Sequence, residues 1–299
     1  MSLVINHNMM AMNAARNLGN SYSSLATSVR RLSSGLRIGT AADDAAGLAI
    51  RELMRAEIAT LNQGVRNAND AISMVQTADG ALGVIDEKLV RMKELAEQAA
   101  TGTYNSDQRL MIESEYQAMA SEITRIANAT DFNGVHLLNG NLSGATHDGS
   151  GLVSTGKVKI HFGTGNDSAE DYYYITIGNA TASALGLGNA SDAAATDGAG
   201  FSISTQQAAQ KSLDAINQAI ISKDKIRAHL GAMQNRLENT ISNLQIQAEN
   251  MQAAESRISD VDVASEMTEF VRNQVLTQAA VAMLSQANSL PQMALQLIQ

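Results

Sequence analysis

The residues best suited to chemistry in this sequence are two adjacent aspartates, Asp43 and Asp44, within the segment LSSGLRIGTAADDAAGLAI. Carboxylates beside glycines suggest a metal or phosphate site. The segment lacks the alternating oxygen ligands and terminal glutamate of a calcium loop, and it has no Gly-Lys-Ser/Thr phosphate motif. Gly35 and Gly39 instead permit backbone turns that end a helix, and either aspartate is suited to cap the next helix. We therefore interpret Gly35, Gly39, Asp43 and Asp44 as a linker joint.

The five histidines are the other residues that could bind a metal or catalyse a reaction. No pair of them has helical metal-ligand spacing, and no Ser/His/Asp arrangement is suggested. The absence of cysteine excludes disulfides and thiolate metal sites. Residues 141–205 are too short, and too poor in metal-binding motifs, to hold a hydrolytic domain. We therefore expect no catalytic residue, no cofactor and no metal, and we predict that the protein is not an enzyme.

The composition narrows the class of protein further. One proline in 299 residues suits long uninterrupted helices. The net charge of −9 argues against a nucleic-acid partner, because nucleic acids attract basic surfaces. No apolar run reaches the length of about 18 residues that a membrane span requires. The first residues also lack the basic region, apolar stretch and cleavage site of a cleaved secretory signal. We expect neither a membrane span nor a cleaved leader.

Apolar residues recur along most of the chain in alternating steps of three and four, the pattern of a coiled-coil seam. Separate seams run from Leu18 to Leu36, from Met54 to Ala99, from Ile112 to Ile126 and from Leu230 to Ile258. We predict long helices that fold back on one another as antiparallel partners. In the terminal segments, the predicted arm assembly seam consists of Leu18, Tyr22, Leu25, Val29, Leu32, Val271, Val275, Leu290 and Leu297.

The middle of the chain, about residues 131–205, is rich in Gly, Asn, Ser, Thr and Asp. Asn133-Gly134 is a turn signal, and TGTYNSDQ, just before the third seam, has the chemistry of a helix start. KVKIHF and YYYITIG flank a polar loop and predict a β-hairpin. The predicted fold class is therefore mainly α: a long antiparallel helical coiled-coil bundle with pairing terminal arms and a small β-hairpin region.

Both terminal arms are almost free of charge. No charged side chain follows Arg272, and before Arg16 only His7 can carry one. A lone amphipathic hairpin leaves apolar surface in water, which normally marks an interaction site. Repeated contacts between identical subunits give rings or open helical filaments. We therefore predict that the main partner is the protein itself, in a helical homopolymer.

The charges nearer the joint are complementary between the two ends of the chain. Residues 1–42 contain arginines and no acid, whereas residues 257–272 contain Asp260, Asp262, Glu266 and Glu269. Exposed ion pairs contribute only about 0–1 kcal/mol each. We expect these charges to set the register of the paired arms more than their stability.

Six motifs together resemble those of bacterial flagellins. They are MSLVINHNMMAMNAARNL, LSSGLRIGTAADDAAGLAI, NDAISMVQTADGAL, DFNGVHLLNG, LGAMQNRLENTISNL and ANSLPQMALQLI. The match covers about residues 1–140 and 205–299 in the family's order. KVKIHF, YYYITIG and SALGLG also resemble the β-hairpin part of the flagellin core domain. The sequence has no room for the outer domains of longer flagellins, so it resembles a short form.

The resemblance implies a structural subunit that polymerises into the extracellular bacterial flagellar filament for swimming motility. It implies an inner-tube domain of residues 1–43 with 256–299, and a core domain of residues 44–255 without outer domains. Also implied are type III export, a dedicated export chaperone, a cap protein at the growing tip and hook–filament junction proteins as partners. The alternatives are a minor flagellin and a hook–filament junction protein.

In flagellins, the helix that matches LVRMKELAEQ is the surface read by the vertebrate Toll-like receptor for flagellin. The family's arginine and leucine contacts match Arg91 and Leu95, and the spacing of the next helix makes Glu115 the third. Arg91 and Leu95 lie off the seam of Leu89, Met92 and Ala96, so we expect both to point outward. The resemblance therefore predicts a site for innate immune recognition, or for contact with another subunit, at these three residues.

Overall fold

The computed structural model describes residues 8–143, 156–168, 170–187 and 202–298, apart from the side chains of 290–292 and 294–298. These residues form mainly helix, and the predicted fold class is confirmed. The helices are α1 (Met9–Ser34), α2 (Ala45–Ala100), α3 (Ser106–Ala129), α4 (Gln206–Ser259) and α5 (Val263–Ile298). The strands are β1 (Asp131–Phe132), β2 (Val135–His136), β3 (Val158–His161) and β4 (Tyr172–Ile175), and Asn141–Ser143 form a 3₁₀ turn.

The chain forms two compact units. The arm unit contains Met1–Ile58 and Glu249–Gln299, and the rod unit contains Ala59–Ala248. We expected boundaries between an inner-tube domain and a core domain at 43/44 and 255/256. Those boundaries refer to the layers of an assembled filament, so they stay a prediction.

Antiparallel pairing of the helices is confirmed in each unit. In the arm unit the Asn8 amide donates to the Ala287 carbonyl at 2.7 Å. At the other end of the same pair of helices, Arg31 lies 3.5 Å from Glu266. In the rod unit, Arg227 pairs with Asp79 at 2.7 Å and Lys223 with Asp86 at 2.5 Å. The later residue of α4 thus meets the earlier residue of α2, as antiparallel helices require.

The core of the rod unit joins α2, α3, α4 and the strands in one apolar cluster. Within this core, α3 begins at a capping box. The Asn105 side chain accepts the Gln108 N–H at 2.8 Å, and the Gln108 side chain accepts the Asn105 N–H at 3.0 Å. The helix start predicted from TGTYNSDQ is therefore confirmed. The fully buried members of the cluster include Leu82, Ile85, Leu89, Met92, Tyr116, Ile123, Leu137, Leu138, Ile175, Ile216 and Leu237.

Two short hairpins make up the β region of the rod unit. β1 and β2 are joined by Asn133 (φ 52°) and Gly134 (φ 81°), a left-handed pair typical of a tight hairpin turn. β3 and β4 pair antiparallel from Val158 opposite Ile175 to His161 opposite Tyr172, which confirms the predicted hairpin.

The β3–β4 hairpin is held against α2. The Asn67 amide donates to the His161 carbonyl at 2.7 Å. In the connecting loop, the Asp171 carboxylate accepts the N–H groups of Asp167 at 2.7 Å and Gly165 at 3.2 Å. These bonds, that from Asp167 above all, lower the pKa of Asp171. Across the described ranges, no helix is both long enough and apolar enough to cross a membrane.

Candidate assembly interface

The joint begins where α1 ends at Gly35. This glycine adopts a left-handed conformation (φ 71°), and its N–H donates to the Arg31 carbonyl at 2.8 Å. A left-handed residue that closes the last turn is a common helix end, and glycine adopts it without a steric penalty. The residue type at position 35 is therefore what lets the chain leave the axis of α1.

The two aspartates of the joint accept hydrogen bonds from the protein itself. Asp43 accepts from the Thr40 hydroxyl at 2.9 Å, from the Thr40 N–H at 3.0 Å and from Arg30 at 2.7 Å. The N–H of Gly39 donates to the same carboxylate at 3.3 Å. The hydroxyl of Thr40, together with its N–H and the Arg30 charge, lowers the pKa of Asp43. Asp44 caps α2, since its Oδ1 accepts the N–H groups of the second and third residues after it at 3.1 and 3.0 Å.

A metal ion is not needed to satisfy these carboxylates. Within the part of the chain that the structure describes, no group of three or more His, Asp or Glu side chains is placed to hold one. The geometry of the segment is that of a helix end followed by a helix start.

The joint is anchored to the break between α4 and α5. Leu36 and Asp260 form an isolated antiparallel bridge. On either side of it, the Arg37 N–H donates to the Ser259 carbonyl at 2.6 Å and the Val261 N–H to the Gly35 carbonyl at 3.0 Å. The two interruptions of the helices therefore pair with each other inside the arm unit, and neither is a free loop.

Sequence reasoning missed this second half of the joint, although a signal for it exists. Asp262 accepts the Ala264 N–H at 3.0 Å and the Ser265 hydroxyl at 2.8 Å, so it caps α5. An aspartate before a helical pattern is a standard start signal. Arg51 carried no such signal: its side chain is buried, and it donates to the Ile38 carbonyl at 2.7 Å.

The contact between α1 and α5 uses a different seam from the one predicted. Leu18, Leu25 and Leu32 are half-buried, as a seam requires. The positions between them that turn toward α5 are Ser21, which is half-buried, and Ser28, which is buried. After Leu18 and Leu25 the structure therefore selects the step of three, whereas the prediction took the step of four.

Tyr22, Val29, Val271 and Val275 of the predicted arm assembly seam take no part in the contact between α1 and α5 within one chain, and as a seam between subunits they stay a prediction. Tyr22 is 53% exposed and Val275 is 58% exposed, and the other two are exposed to a similar degree. The physical reason is that the residue three positions after a leucine and the residue four positions after it both fit a helical seam. The leucines alone therefore do not determine which of the two turns toward α5. Small side chains allow closer helices, and α1 turns its serines rather than Tyr22 and Val29 inward. Leu290 and Leu297 lie within α5, but their side chains are outside the described residues.

The arm unit consequently keeps a large apolar surface exposed. The exposed apolar side chains of its helices include Met9, Met10, Met12, Tyr22, Val29, Val263, Met267, Val271, Val275, Leu276, Val281 and Met283. One part of this surface is a groove of about 660 Å³ between α1 and α5. It is lined by Met10, Asn13, Ala14, Asn17, Asn20, Ser21, Leu276, Ala279, Ala280 and Met283. We call this the arm groove.

The rod unit brings Arg91 and Glu115 together across α2 and α3. The Arg91 guanidinium donates to Glu115 at 2.9 Å and to Glu94 at 2.9 Å, and all three side chains are exposed. The hydrogen bonds that Arg91 donates to Glu94 and then to Glu115 raise the pKa of Arg91. The arrangement presents an ordered ion pair from two helices to solvent.

The expectation that Leu95 points outward is wrong, because its side chain is only 2% exposed. Leu95 belongs to the same buried cluster as Tyr116 and Ile123 of α3. The seam accounts for one apolar face of α2, but this helix has two packing partners, and α3 covers the second face. Leu95 is therefore a core residue, whereas Arg91, one turn earlier on α2, is exposed.

Comparisons with known proteins cover nearly the whole chain. A model of the bacterial flagellin N-terminal helical region matches residues 5–143, and one of the bacterial flagellin C-terminal helical region matches residues 213–298. The chain is 41% identical to the flagellar filament 33 kDa core protein of Treponema phagedenis, over 99% of this chain and 100% of that protein. It is also 41% identical to the flagellin of Bacillus subtilis (strain 168), over 98% and 99%. The crystal structure of Bacillus cereus flagellin aligns at 30% identity with a TM-score of 0.46, over 64% of this chain and 94% of that one.

Proposed function

Because this chain belongs to the bacterial flagellin family, and is thus a structural subunit of a flagellar filament, we propose that it polymerises through the faces of α1 and α5 that its own fold leaves exposed. The observation that carries this proposal is the exposed apolar surface of the arm unit. Apolar surface of this extent normally marks an interaction site. After Arg272 no charged side chain interrupts it, so packing against other copies buries no unpaired charged side chain there.

In the filament, we assign residues 1–43 and 256–299 to an inner tube and residues 44–255 to the surrounding core layer, without outer domains. The paired breaks at Gly35–Val261 and Leu36–Asp260 support this assignment, since they lie close to both proposed boundaries. The joint then fixes how the chain enters and leaves the inner layer.

The subunit is secreted through the flagellar type III apparatus and joins an extracellular filament. An export chaperone covers the carboxy-terminal arm, a cap protein directs addition at the tip, and junction proteins connect the filament to the hook. The apolar surface of α5 supports a need for such cover before assembly, because exposed apolar helices associate non-specifically. The role is mechanical, and we propose no catalytic activity.

Substitution of Val275 tests the assembly proposal. We expect Val275→Asp to raise the concentration required for polymerisation at least tenfold, because a carboxylate buried between subunits costs several kcal/mol without a partner. The control is Val275→Ile, which keeps the site apolar and should polymerise as the wild type does. Sedimentation of seeded protein measures the polymer, and thermal unfolding followed by circular dichroism checks the monomer. Polymerisation of Val275→Asp at the wild-type concentration would refute the proposal.

The exposed Arg91–Glu115 pair favours a second role, recognition of the monomer by the vertebrate Toll-like receptor for flagellin. Arginine is a frequent hot-spot residue in interfaces. Leu95 is buried in the core of the rod unit, so Leu95→Ala acts through a cavity that costs about 2–5 kcal/mol of stability. For that reason it does not separate contact from folding, and substitutions at the surface are needed.

We expect Arg91→Ala to reduce receptor activation by purified monomer at least tenfold in a reporter-cell assay. The matched control is Arg125→Ala, which removes a similarly exposed arginine from its ion pair with Glu122 on α3. That variant should retain the wild-type response. Equal responses from Arg91→Ala and the wild type would exclude this surface as the receptor site.

A further inference from the structure

Two methionines line the arm groove. Met10 on α1 is 49% exposed, and Met283 on α5 is 61% exposed. The chain contains 14 methionines and no cysteine, so thioethers are its only sulfur groups open to oxidation. Oxidation of methionine turns a flexible apolar side chain into a polar one and disrupts interfaces rich in methionine. The groove therefore places accessible thioethers on the surface that we propose another copy covers.

We propose that Met10 and Met283 are oxidation sites at which peroxide converts the thioether to a sulfoxide and thereby blocks polymerisation. This inference rests on the proposed assembly through the arm unit. In the reaction, a sulfur lone pair attacks one peroxide oxygen, the O–O bond breaks, and methionine sulfoxide and water are the products. The sulfur loses two electrons and the peroxide gains them. Methionine sulfoxide reductases reverse the change, so the block is reversible.

The surroundings of Met283 explain why a sulfoxide there opposes assembly. Its neighbours on the α5 wall of the groove are Leu276, Ala279 and Ala280, and none of them has a side-chain donor. While the groove is open, water satisfies the sulfoxide oxygen. The groove side chains with donors, Asn13, Asn17, Asn20 and Ser21, all belong to the α1 wall. Once a neighbouring copy covers the groove and excludes water, an oxygen on the α5 wall loses its hydrogen bonds to water, and burying an unsatisfied polar group is unfavourable. The thioether carries no such penalty.

Burial protects some of the methionines, whereas Met9, Met12 and Met267 of the arm unit are exposed like the groove pair but do not line the groove. Met74, Met92 and Met233 of the rod unit are buried, and peroxide reaches them slowly. Met111 on α3 is 74% exposed but belongs to the rod unit, outside the arm groove. It therefore provides an internal comparison: it should oxidise at least as readily as the groove methionines without sharing their position.

The test uses wild-type monomer that has been partly oxidised with hydrogen peroxide and then seeded to polymerise. Peptide mass spectrometry measures the sulfoxide fraction at each methionine in the pellet and in the supernatant. We expect the sulfoxides of Met10 and Met283 to be at least tenfold enriched in the unpolymerised fraction, and that of Met111 to be evenly distributed. An even distribution of all three sulfoxides would overturn the inference, even if Val275→Asp has shown that the arm surface drives assembly.

A variant supplies the second measurement. Leucine is close to methionine in volume and cannot form a sulfoxide, so Met10→Leu with Met283→Leu should polymerise after a peroxide dose that stops the wild type. The matched control, Met111→Leu, should remain as sensitive as the wild type, and sulfoxide reductase should restore wild-type assembly. A double variant that stays peroxide-sensitive would place the block at other residues and overturn the inference. If the untreated double variant fails to polymerise, the distribution of sulfoxides in the wild type decides.

Discussion

Gly64→Ala is expected to lower the free energy of unfolding of the rod unit by about 2–3 kcal/mol, the upper part of the range for an overpacked core. A Cβ at this position would overlap the carbonyl oxygen of Phe162 and lie 2.8 Å from its carbonyl carbon. These are backbone atoms, so no side-chain rotation relieves the clash. The hairpin end beside His161, which Asn67 holds at 2.7 Å, must therefore move away from α2.

Gly80→Ala is the matched control, because Gly80 lies in the same helix and a Cβ there meets nothing within 4 Å. Alanine in a helix interior is favoured over glycine by roughly 0.5–1 kcal/mol, so this variant should be more stable than the wild type. Urea unfolding of dilute monomer, followed by circular dichroism, gives both values. If the free energy of unfolding changed in the same direction in both variants, the result would contradict the close approach at Gly64.

Asp86→Ala is expected to destabilise the rod unit by about 2–3 kcal/mol, at or just below the lower end of the range of about 3–5 kcal/mol for breaking a buried ion pair. The Lys223 ammonium is only 2% exposed and lies 2.5 Å from Asp86 and 2.7 Å from Asp224. Without Asp86, the acidic partner that remains to it among the described residues is Asp224, which is largely in solvent. We place the cost below the full range because Asp86 itself is partly exposed and Asp224 remains.

The control for Asp86 is Asp79, seven residues earlier on α2 and paired with Arg227 of α4. Both side chains of that pair are exposed, so Asp79→Ala should cost only about 0–1 kcal/mol. Combining Asp86→Ala with Lys223→Met should recover much of the lost stability, since the buried charge is then absent. Equal losses from Asp79→Ala and Asp86→Ala in urea unfolding would show that burial of Lys223 does not set the energy.

Local features of the fold could be predicted from the sequence. The capping box of Asn105 and Gln108, the turn at Asn133 and Gly134, and the start of α2 after Asp44 each depend on residues within a few positions of one another. Their hydrogen bonds form whatever the rest of the chain does, so residue type and spacing determine them. The period of the apolar residues likewise determined that the chain is helical and that it folds back on itself.

The tertiary structure alone decided which faces of those helices are covered. The step of three rather than four after Leu18, the burial of Leu95, and the contact of Gly64 with Phe162 all depend on the partner helix or strand that arrives from a distant part of the chain. Helical periodicity is compatible with more than one buried face, and only the packed neighbour selects among them. The same selection left Tyr22 and Val275 exposed, which makes them available to other subunits of the filament.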